Sequence, residues 1–434
     1  MERTIDIQDI ETRMRAAGIR AFLPEQVAGS FAVVGVPTVE DVLPLAGGAL
    51  AIVRCGAQRF AVPVAGGADL RRARAGDDVF AGLGRVIGDG TAVGRFGAWR
   101  RGRPPSGTRE RALDVDQSNT SLVVDEAVLV KLQSVPSPAP HPAVDVPAHL
   151  AEVGFGETPA LLGSMTWTGP EGPLLVATVT AFLPGATDGW AWHVGLLEEI
   201  ADGGAPAAWT RPAADLGALV ARLHAALATP SSVLPTTRSR ATREDVAAWS
   251  RAAQGTLQEA MELTDGPEGK RLRGSAPEIL RAFADFAVVP VTPVSVIHGD
   301  LHVGQLLPWR DGFAVIDFEG NPLQQIHGLG GLGPPARDVA SAVRSLDHVG
   351  RIVERRRPDR SADVAVWIAQ ARIAFLGAYV ARLEEMGASE LFDDRLLRPF
   401  EVVQECHEYV YAARYLPTWR SIPDLAMPAL LEAS

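Results

Sequence analysis

The sequence predicts an α+β chain, β-rich in its first part and helical in its second. Three observations predict it. Apolar runs broken by glycine or proline crowd the first 65 residues. A strand–turn–strand pattern and a further apolar run follow between 121 and 182. Beyond 184, apolar residues recur mostly at helical spacing. The chain has 434 residues, enough for two or three domains at about 100–200 residues each. The pattern divides them into an N-terminal module (1–105), a small β-rich lobe (106–184) and a large helical lobe (185–434).

In order, residues 9–26 read as a short polar helix, and 31–36, 50–53 and 60–64 as short strands. The basic stretch 100–111, with Pro104-Pro105-Ser106-Gly107 inside it, reads as a linker with solvated arginines. Residues 121–124 and 127–132 flank Asp125-Glu126 as a β-hairpin. A proline-rich bridge (136–142), a helix (146–153) and a buried strand (174–182) follow, the last ended by Pro184-Gly185. Leu216, Leu219, Val220, Leu223 and Leu227 form an apolar helical stripe, and His224 beside it reads as structural. Short strands are expected at 294–297 and 313–316, and helices at about 338–349, 363–385 and 395–414. Asp338 reads as an N-cap, and the glycine-rich 328–333 as a flexible loop. No internal repeat is present.

Composition excludes some functions. A net charge of −11 repels nucleic acid and anionic membranes, so neither is an expected partner. It does not exclude ATP, whose phosphates magnesium and local cations can offset. Cys55 and Cys406 make no disulfide framework and no metal spacing. Free thiols, a mixed polar start (Met1 to Asp6) and the lack of a run of about 18 apolar residues predict a soluble cytoplasmic protein.

The strongest chemical signal is His298-Gly299-Asp300-Leu301-His302-Val303-Gly304-Gln305, followed by Asp317-Phe318-Glu319-Gly320. One apolar strand delivers the first segment to a loop, and a second ends at Asp317. Two carboxylates at the ends of neighbouring buried strands, with an amide between them in sequence, suit phosphoryl transfer. One carboxylate must orient and deprotonate the acceptor hydroxyl. Another must hold magnesium against phosphate oxygens, with an amide oxygen completing the coordination. Asp300 fits the first role, Asp317 and Gln305 the second, and Glu319 can reach a second metal. The plain alternative is a pair of carboxylates that serve only turns and helix ends. Their joint order and spacing speak against it.

These segments resemble the HGDxxxxN…D pattern of the aminoglycoside phosphotransferase and choline kinase superfamily. Gln305 stands where Asn is usual. The His-Gly-Asp-Leu-His-x-Gly-Gln and Asp-Phe-Glu-Gly forms look like the maltokinase branch, where Gln is familiar. The resemblance spans about residues 110–425. It implies a bilobal protein-kinase-like fold with an extra N-terminal β-rich cap, and ATP with Mg2+ as cofactors. It also implies Lys131 on the α- and β-phosphates. The partner carboxylate would be Asp145, in His141-Pro142-Ala143-Val144-Asp145, in preference to Glu152. Ser118, Asn119 and Thr120 would stand in for the glycine-rich loop. Val179 to Phe182 and Leu183 would be the hinge that binds adenine through its backbone. Asp188, near Trp190 and Trp192, matches an Asp-x-Trp-x-Tyr stretch of maltokinases.

The C-terminal run from Gln404 through Arg414, then Leu416-Pro417-Thr418-Trp419 and Ile422-Pro423-Asp424, looks closer to the actinobacterial glucosamine kinases, a sister group. An aminosugar's ammonium favours nearby carboxylates. Glu405 and Glu408 lie three apart on a helix. With Trp419, Asp424, His302 and Asp188 they form the implied substrate set. The implied reaction transfers the ATP γ-phosphate to glucosamine, at the 6-hydroxyl because it is primary and least hindered. Rival readings are a maltokinase acting at the anomeric hydroxyl, an aminoglycoside phosphotransferase and a non-catalytic nucleotide-binding module.

Overall fold

The computed structural model describes residues 7–30, 35–66, 69–102, 107–113, 120–289, 291–320 and 332–432. The chain forms two compact units, Met1–Ala148 with Pro159–Pro184, and His149–Thr158 with Gly185–Ser434.

In the first unit the helix expected over 9–26 is broken. Gly18, at φ 77°, separates α1 (Ile7–Ala17) from α2 (Glu25–Ser30). Ile10 and Met14, four apart on α1, are fully buried against an antiparallel sheet. That sheet runs β1 (Thr38–Leu45), β2 (Gly48–Cys55), β3 (Gln58–Ala65), β4 (Arg71–Arg72) in chain order. Two expected strands fall inside β2 and β3. Of the third, residues 31–34 lie outside the described residues and Val36 is 65% exposed. The strand that does form, β1, was obscured by Glu40, Asp41 and Pro44, which break its apolar alternation.

Then come α3 (Val79–Asp89), β5 (Phe96–Arg100), β6 (Glu110–Ala112), β7 (Thr120–Val124), β8 (Val128–Pro138), α4 (Pro142–Glu152), β9 (Leu161–Gly169) and β10 (Gly172–Ala181). The strands form one sheet in the order β5-β9-β10-β8-β7-β6. The predicted hairpin is β7–β8. Asp125 and Glu126 turn it with φ of 54° and 52°, as a tight hairpin requires, and Leu122 faces Val130. The expected proline bridge begins later, because β8 continues through Pro138. There it pairs only with β10, across a register shift, and an irregular edge tolerates proline's missing N–H. Helix α4 begins earlier than expected, since Pro142 suits a first turn.

Leu43, Leu50 and Ile52 of the first sheet share one core with Phe80, Leu83 and Ile87 of α3 and with Val130, Leu132, Trp167 and Val179 of the second. The expected boundary at 105/106 therefore does not separate two cores, and β5 belongs to the six-stranded sheet.

The second unit holds α5 (Gly189–Ala201), α6 (Ala207–Leu227), β11 (Arg238–Ala241), α7 (Arg243–Leu263), α8 (Gly266–Ala284), β12 (Thr292–Val296), β13 (Leu306–Trp309), β14 (Gly312–Val315), β15 (Leu332–Gly333), α9 (Pro335–Arg356), α10 (Ser361–Glu385), α11 (Leu397–Arg414) and α12 (Ser421–Glu432). The apolar stripe of α6 is buried as predicted. The strands expected as neighbours are not paired. β12 lies between β11 and β15, whereas β14 forms a separate hairpin with β13. Helix α9 is an inner helix, buried from Pro335 through Val353 except at Arg337. Contrary to the composition-based expectation, one helix (358–385, mean hydropathy 1.6) is long and apolar enough to cross a membrane. Its Val364, Trp367, Ala371, Phe375, Tyr379 and Leu383 stripe is buried within the unit, as in a helix lying on a globular core.

Candidate active site

The site is built around a loop and the helix behind it. Strand β12 is buried because Val294 faces Ala241 and Leu332 in a small apolar cluster. The chain leaves it through Ile297 into His298-Gly299-Asp300. Asp338 was expected to cap its own helix. It lies instead inside α9, which starts at Pro335, and its carboxylate is turned away. Its Oδ2 accepts the His298 N–H at 2.7 Å and its Oδ1 the Gly299 N–H at 2.9 Å. The prolines 334 and 335 start the helix without a side-chain cap, which frees the aspartate to hold the loop.

Asp338 is 1% exposed. Burial alone would raise its carboxyl, but His224 and the His298 and Gly299 contacts hold it below the ordinary carboxylate value. Gly299 adopts φ 83°, a left-handed conformation that costs glycine little. The residue after it is Asp300, half-buried. Arg337, at the start of α9, is pushed down by burial and raised by Asp338 and Asp300.

The same loop is tied to the segment that carries Asp317. His298 Nδ1 accepts the Asp300 N–H at 3.3 Å, so Nε2 carries the proton and donates to Ile316 O at 2.8 Å. The His298 and Phe318 rings lie 5.0 Å apart. Thus, although β12 and β14 do not pair, the loops that follow them are joined. Asp317 is exposed and holds φ 66°. An aspartate tolerates that region better than most residues, and such outliers gather at functional sites. Gln305 ends a short 3-10 turn (Val303–Gln305) whose first N–H donates to Ser345 Oγ of α9 at 3.0 Å. His302 Nδ1 accepts the Gly304 N–H at 3.1 Å, and its Nε2 lies 3.5 Å from the Gln305 amide. The expected substrate residue His302 and the expected metal ligand Gln305 are therefore neighbours.

Helix α5 meets this turn at its first residue. A Cβ on Gly189 would fall 2.1 Å from Val303 O and 2.4 Å from Leu306 O. Gly189→Ala is expected to push the turn aside. Turnover should fall by about 10²-fold, as for a small misplacement near the chemistry, with the fold retained by circular dichroism. Asp188 caps the helix, its Oδ1 accepting the Ala191 N–H at 2.7 Å. Trp190, on the same turn, lies 5.4 Å from Trp419. Trp419 donates to Glu408 Oε2 at 2.8 Å, and Gln404 donates to Glu408 Oε1 at 3.0 Å.

The remaining members of the expected substrate set differ. Glu405 is 0% exposed, and its Oε1 is shared by Arg344 Nε (2.6 Å) and His348 Nε2 (2.8 Å). It stands behind the surface rather than in a pocket wall. Asp424 holds Arg271 of α8 in a two-pronged ion pair. Both corrections have one cause, since buried or half-buried carboxylates find guanidinium partners in the fold.

In the first unit, Lys131 lies on β8 opposite Ser121 and Thr178. Asp145 is in the first turn of α4, its carboxyl raised by burial and opposed by His141. The rival Glu152 belongs to the second unit and accepts the Ser232 N–H and O–H at 2.7 and 2.8 Å. Thr120 Oγ1 accepts from Arg72 at 2.6 Å, whereas Ser118 and Asn119 lie outside the described residues. Val179, expected in the hinge, is paired on both sides. It is fully buried in mid-strand, between Val130 of β8 and Gly163 of β9, so its backbone belongs to the sheet. Farther along, past the end of β10, the Phe182 N–H is given to Ala127 O at 2.9 Å. His224 is structural, as expected, whereas Tyr379, Arg344, Ser345 and His348 were not singled out. The spacing of these four on α9 and α10 carries no sign of what they face.

Residues 110–367 match the model of the phosphotransferase enzyme family. The chain belongs to that family. A glucosamine kinase of Streptacidiphilus jiangxiensis is 41% identical over 398 residues, 89% of each chain. One of Mycolicibacterium smegmatis is 36% identical over 325 residues, 74% of this chain and 80% of the other. Among solved structures, a glucosamine kinase in complex with glucosamine, ADP and inorganic phosphate is 38% identical. It superposes with a TM-score of 0.74, covering 95% of this chain and 98% of that one. Another crystal form of glucosamine kinase reaches a TM-score of 0.80 over 97% and 99%.

Proposed function

We propose that this family member transfers the γ-phosphate of ATP to a hydroxyl of glucosamine, giving glucosamine 6-phosphate. The observation that carries the reading is the 2.8 Å bond from His298 Nε2 to Ile316 O, which ties the loop of Asp300 to the segment of Asp317. The similarity to glucosamine kinases over 89% of the chain supports the choice of sugar. Asp300 orients the acceptor hydroxyl and takes its proton. Lys131 and Asp145 serve the α- and β-phosphates, with Thr120 and Phe182 as further nucleotide contacts. Two buried cysteines without a disulfide accord with a cytoplasmic enzyme.

Among the described residues, no three His, Cys, Asp or Glu side chains gather as a metal cage. Asp317, Glu319 and Gln305 offer two carboxylates and an amide instead. These hard oxygen donors fit Mg2+ that arrives with a nucleotide and keeps phosphate oxygens among its ligands. When bound, the ion offsets charge on the transferring phosphoryl group.

The sugar set we propose is His302, Asp188, Trp190, Trp419 and Glu408. Glu408→Gln is expected to raise the KM for glucosamine by about tenfold, the scale of one charge-assisted hydrogen bond. The KM for glucose should hardly change, so the two KM values, measured side by side, check it. The reaction itself is tested by ADP release over glucosamine, glucose, maltose, N-acetylglucosamine and kanamycin. Release with maltose or kanamycin, and none with glucosamine, overturns the reading.

A further inference from the structure

The mechanism uses Asp300 but leaves a buried polar chain behind it without a role. Tyr379 of α10 lies 2.8 Å, through its hydroxyl, from His224 Nδ1 of α6. His224 Nε2 lies 3.3 Å from Asp338 Oδ2 of α9. Asp338 takes the backbone N–H groups of His298 and Gly299. Tyr379 and His224 are 0% exposed and Asp338 is 1% exposed. The ring contact of Tyr379 and His224 is edge-on at 5.6 Å.

The carboxylate sets the donor order of a neutral imidazole in this chain. Asp338 is held ionised, so it only accepts. His224 must therefore carry its proton on Nε2. In the neutral ring that leaves Nδ1 as an acceptor, which the Tyr379 O–H supplies. Burial and Asp338 keep the phenol protonated, raising its pKa well above the ordinary value. Without the phenol, Nδ1 is left as a buried lone pair with no donor, and the ring is free to turn away from the carboxylate. The phenol thus anchors the imidazole that grips the aspartate.

We propose that Tyr379 and His224 are positioning residues that set the orientation of Asp338, and through it the loop bearing the catalytic Asp300. The proposal rests on the reading of Asp300 as the base, so one readout must be independent of turnover. Amide exchange at His298 and Gly299 is that readout.

Tyr379→Phe keeps the ring and removes only the hydroxyl. Exchange at these two amides is expected to rise about tenfold, and kcat to fall about tenfold with both KM values within about twofold. His224→Gln keeps an N–H for Asp338 but has no ring nitrogen for the phenol to anchor. In that background Tyr379→Phe should add little, which is the mark of coupling in a double-mutant cycle. Phe375→Leu, a fully buried change on the same helix, controls for lost stability. It should leave exchange at 298 and 299 and kcat at wild-type values, measured well below the melting temperature. Unchanged amide exchange in Tyr379→Phe overturns the proposal. So does an equal effect of Phe375→Leu, or full additivity with His224→Gln. If exchange responds as expected while the wild-type chain phosphorylates no sugar, the relay stands and the kinase reading fails.

Discussion

Asp300→Asn is expected to lower kcat by about 10²–10⁴-fold, the range a positioned general base supplies. ATP affinity should stay near the wild-type value. The asparagine has the same shape but cannot take a proton from the acceptor hydroxyl. Its neighbours should hold, because the loop is fixed through the His298 and Gly299 N–H groups, bound to Asp338, and through the His298 ring, bound to Ile316 O. None of these bonds uses the Asp300 carboxylate. Binding and chemistry should therefore separate cleanly, with nucleotide affinity followed by fluorescence titration and turnover by ADP release. Wild-type turnover in the variant would remove Asp300 from the role of base.

The parts of this site that were legible in the sequence are those whose signal is local. The β7–β8 hairpin shows itself because strand alternation and a two-residue turn are read within a dozen residues. The His298-Gly299-Asp300 and Asp317-Phe318-Glu319 segments show themselves because each follows an apolar strand. Helix α9 was expected at about 338–349 with Asp338 as its N-cap, but it starts at Pro335 and its inward role was not legible. Asp338, Ser341, Arg344, Ser345, Asp347, His348 and Arg351 give it the look of a charged surface helix, yet all seven are buried. Their partners lie far away in sequence, such as His224 for Asp338 and Glu405 for Arg344, and no spacing rule reaches them. β9 escaped notice for a related reason. Gly163, Ser164 and Thr166 dilute its apolar character, and its place is set by pairing with β5 and β10. The two glutamates of α11 show the limit most sharply. Three residues apart, they look equivalent, but one is sealed against two cations and the other faces an indole.

That difference makes Glu405→Gln a test of stability rather than of catalysis. Burial alone would raise the Glu405 carboxyl, but His348 and Arg344 hold it down to about 2, from an ordinary 4.5. At about 1.4 kcal/mol per tenfold in proton affinity, this corresponds to about 3 kcal/mol. Its folded pKa is depressed, so the contribution is complete above pH 4.5 and is lost as pH falls towards 2. His348 has the opposite sign. Burial lowers it, but Glu405 raises it further, so its net pKa lies above 6.5. Its contribution is complete below pH 6.5 and fades as pH rises through the folded value. The network is therefore strongest between pH 4.5 and 6.5. Glutamine keeps the volume but takes from His348 its bonded carboxylate and leaves Arg344 with Asp347 as its paired carboxylate. Removing one partner of a buried pair costs about 3–5 kcal/mol, a fall of about 10 °C in melting temperature for a body of this size. The variant's melting temperature should also vary less with pH on both flanks, since His348 loses the carboxylate that keeps it charged. Thermal unfolding of both proteins from pH 3 to 8 reads the two effects together. A variant that melts with the wild-type profile would mean that Glu405 is not the counter-charge of this helix pair.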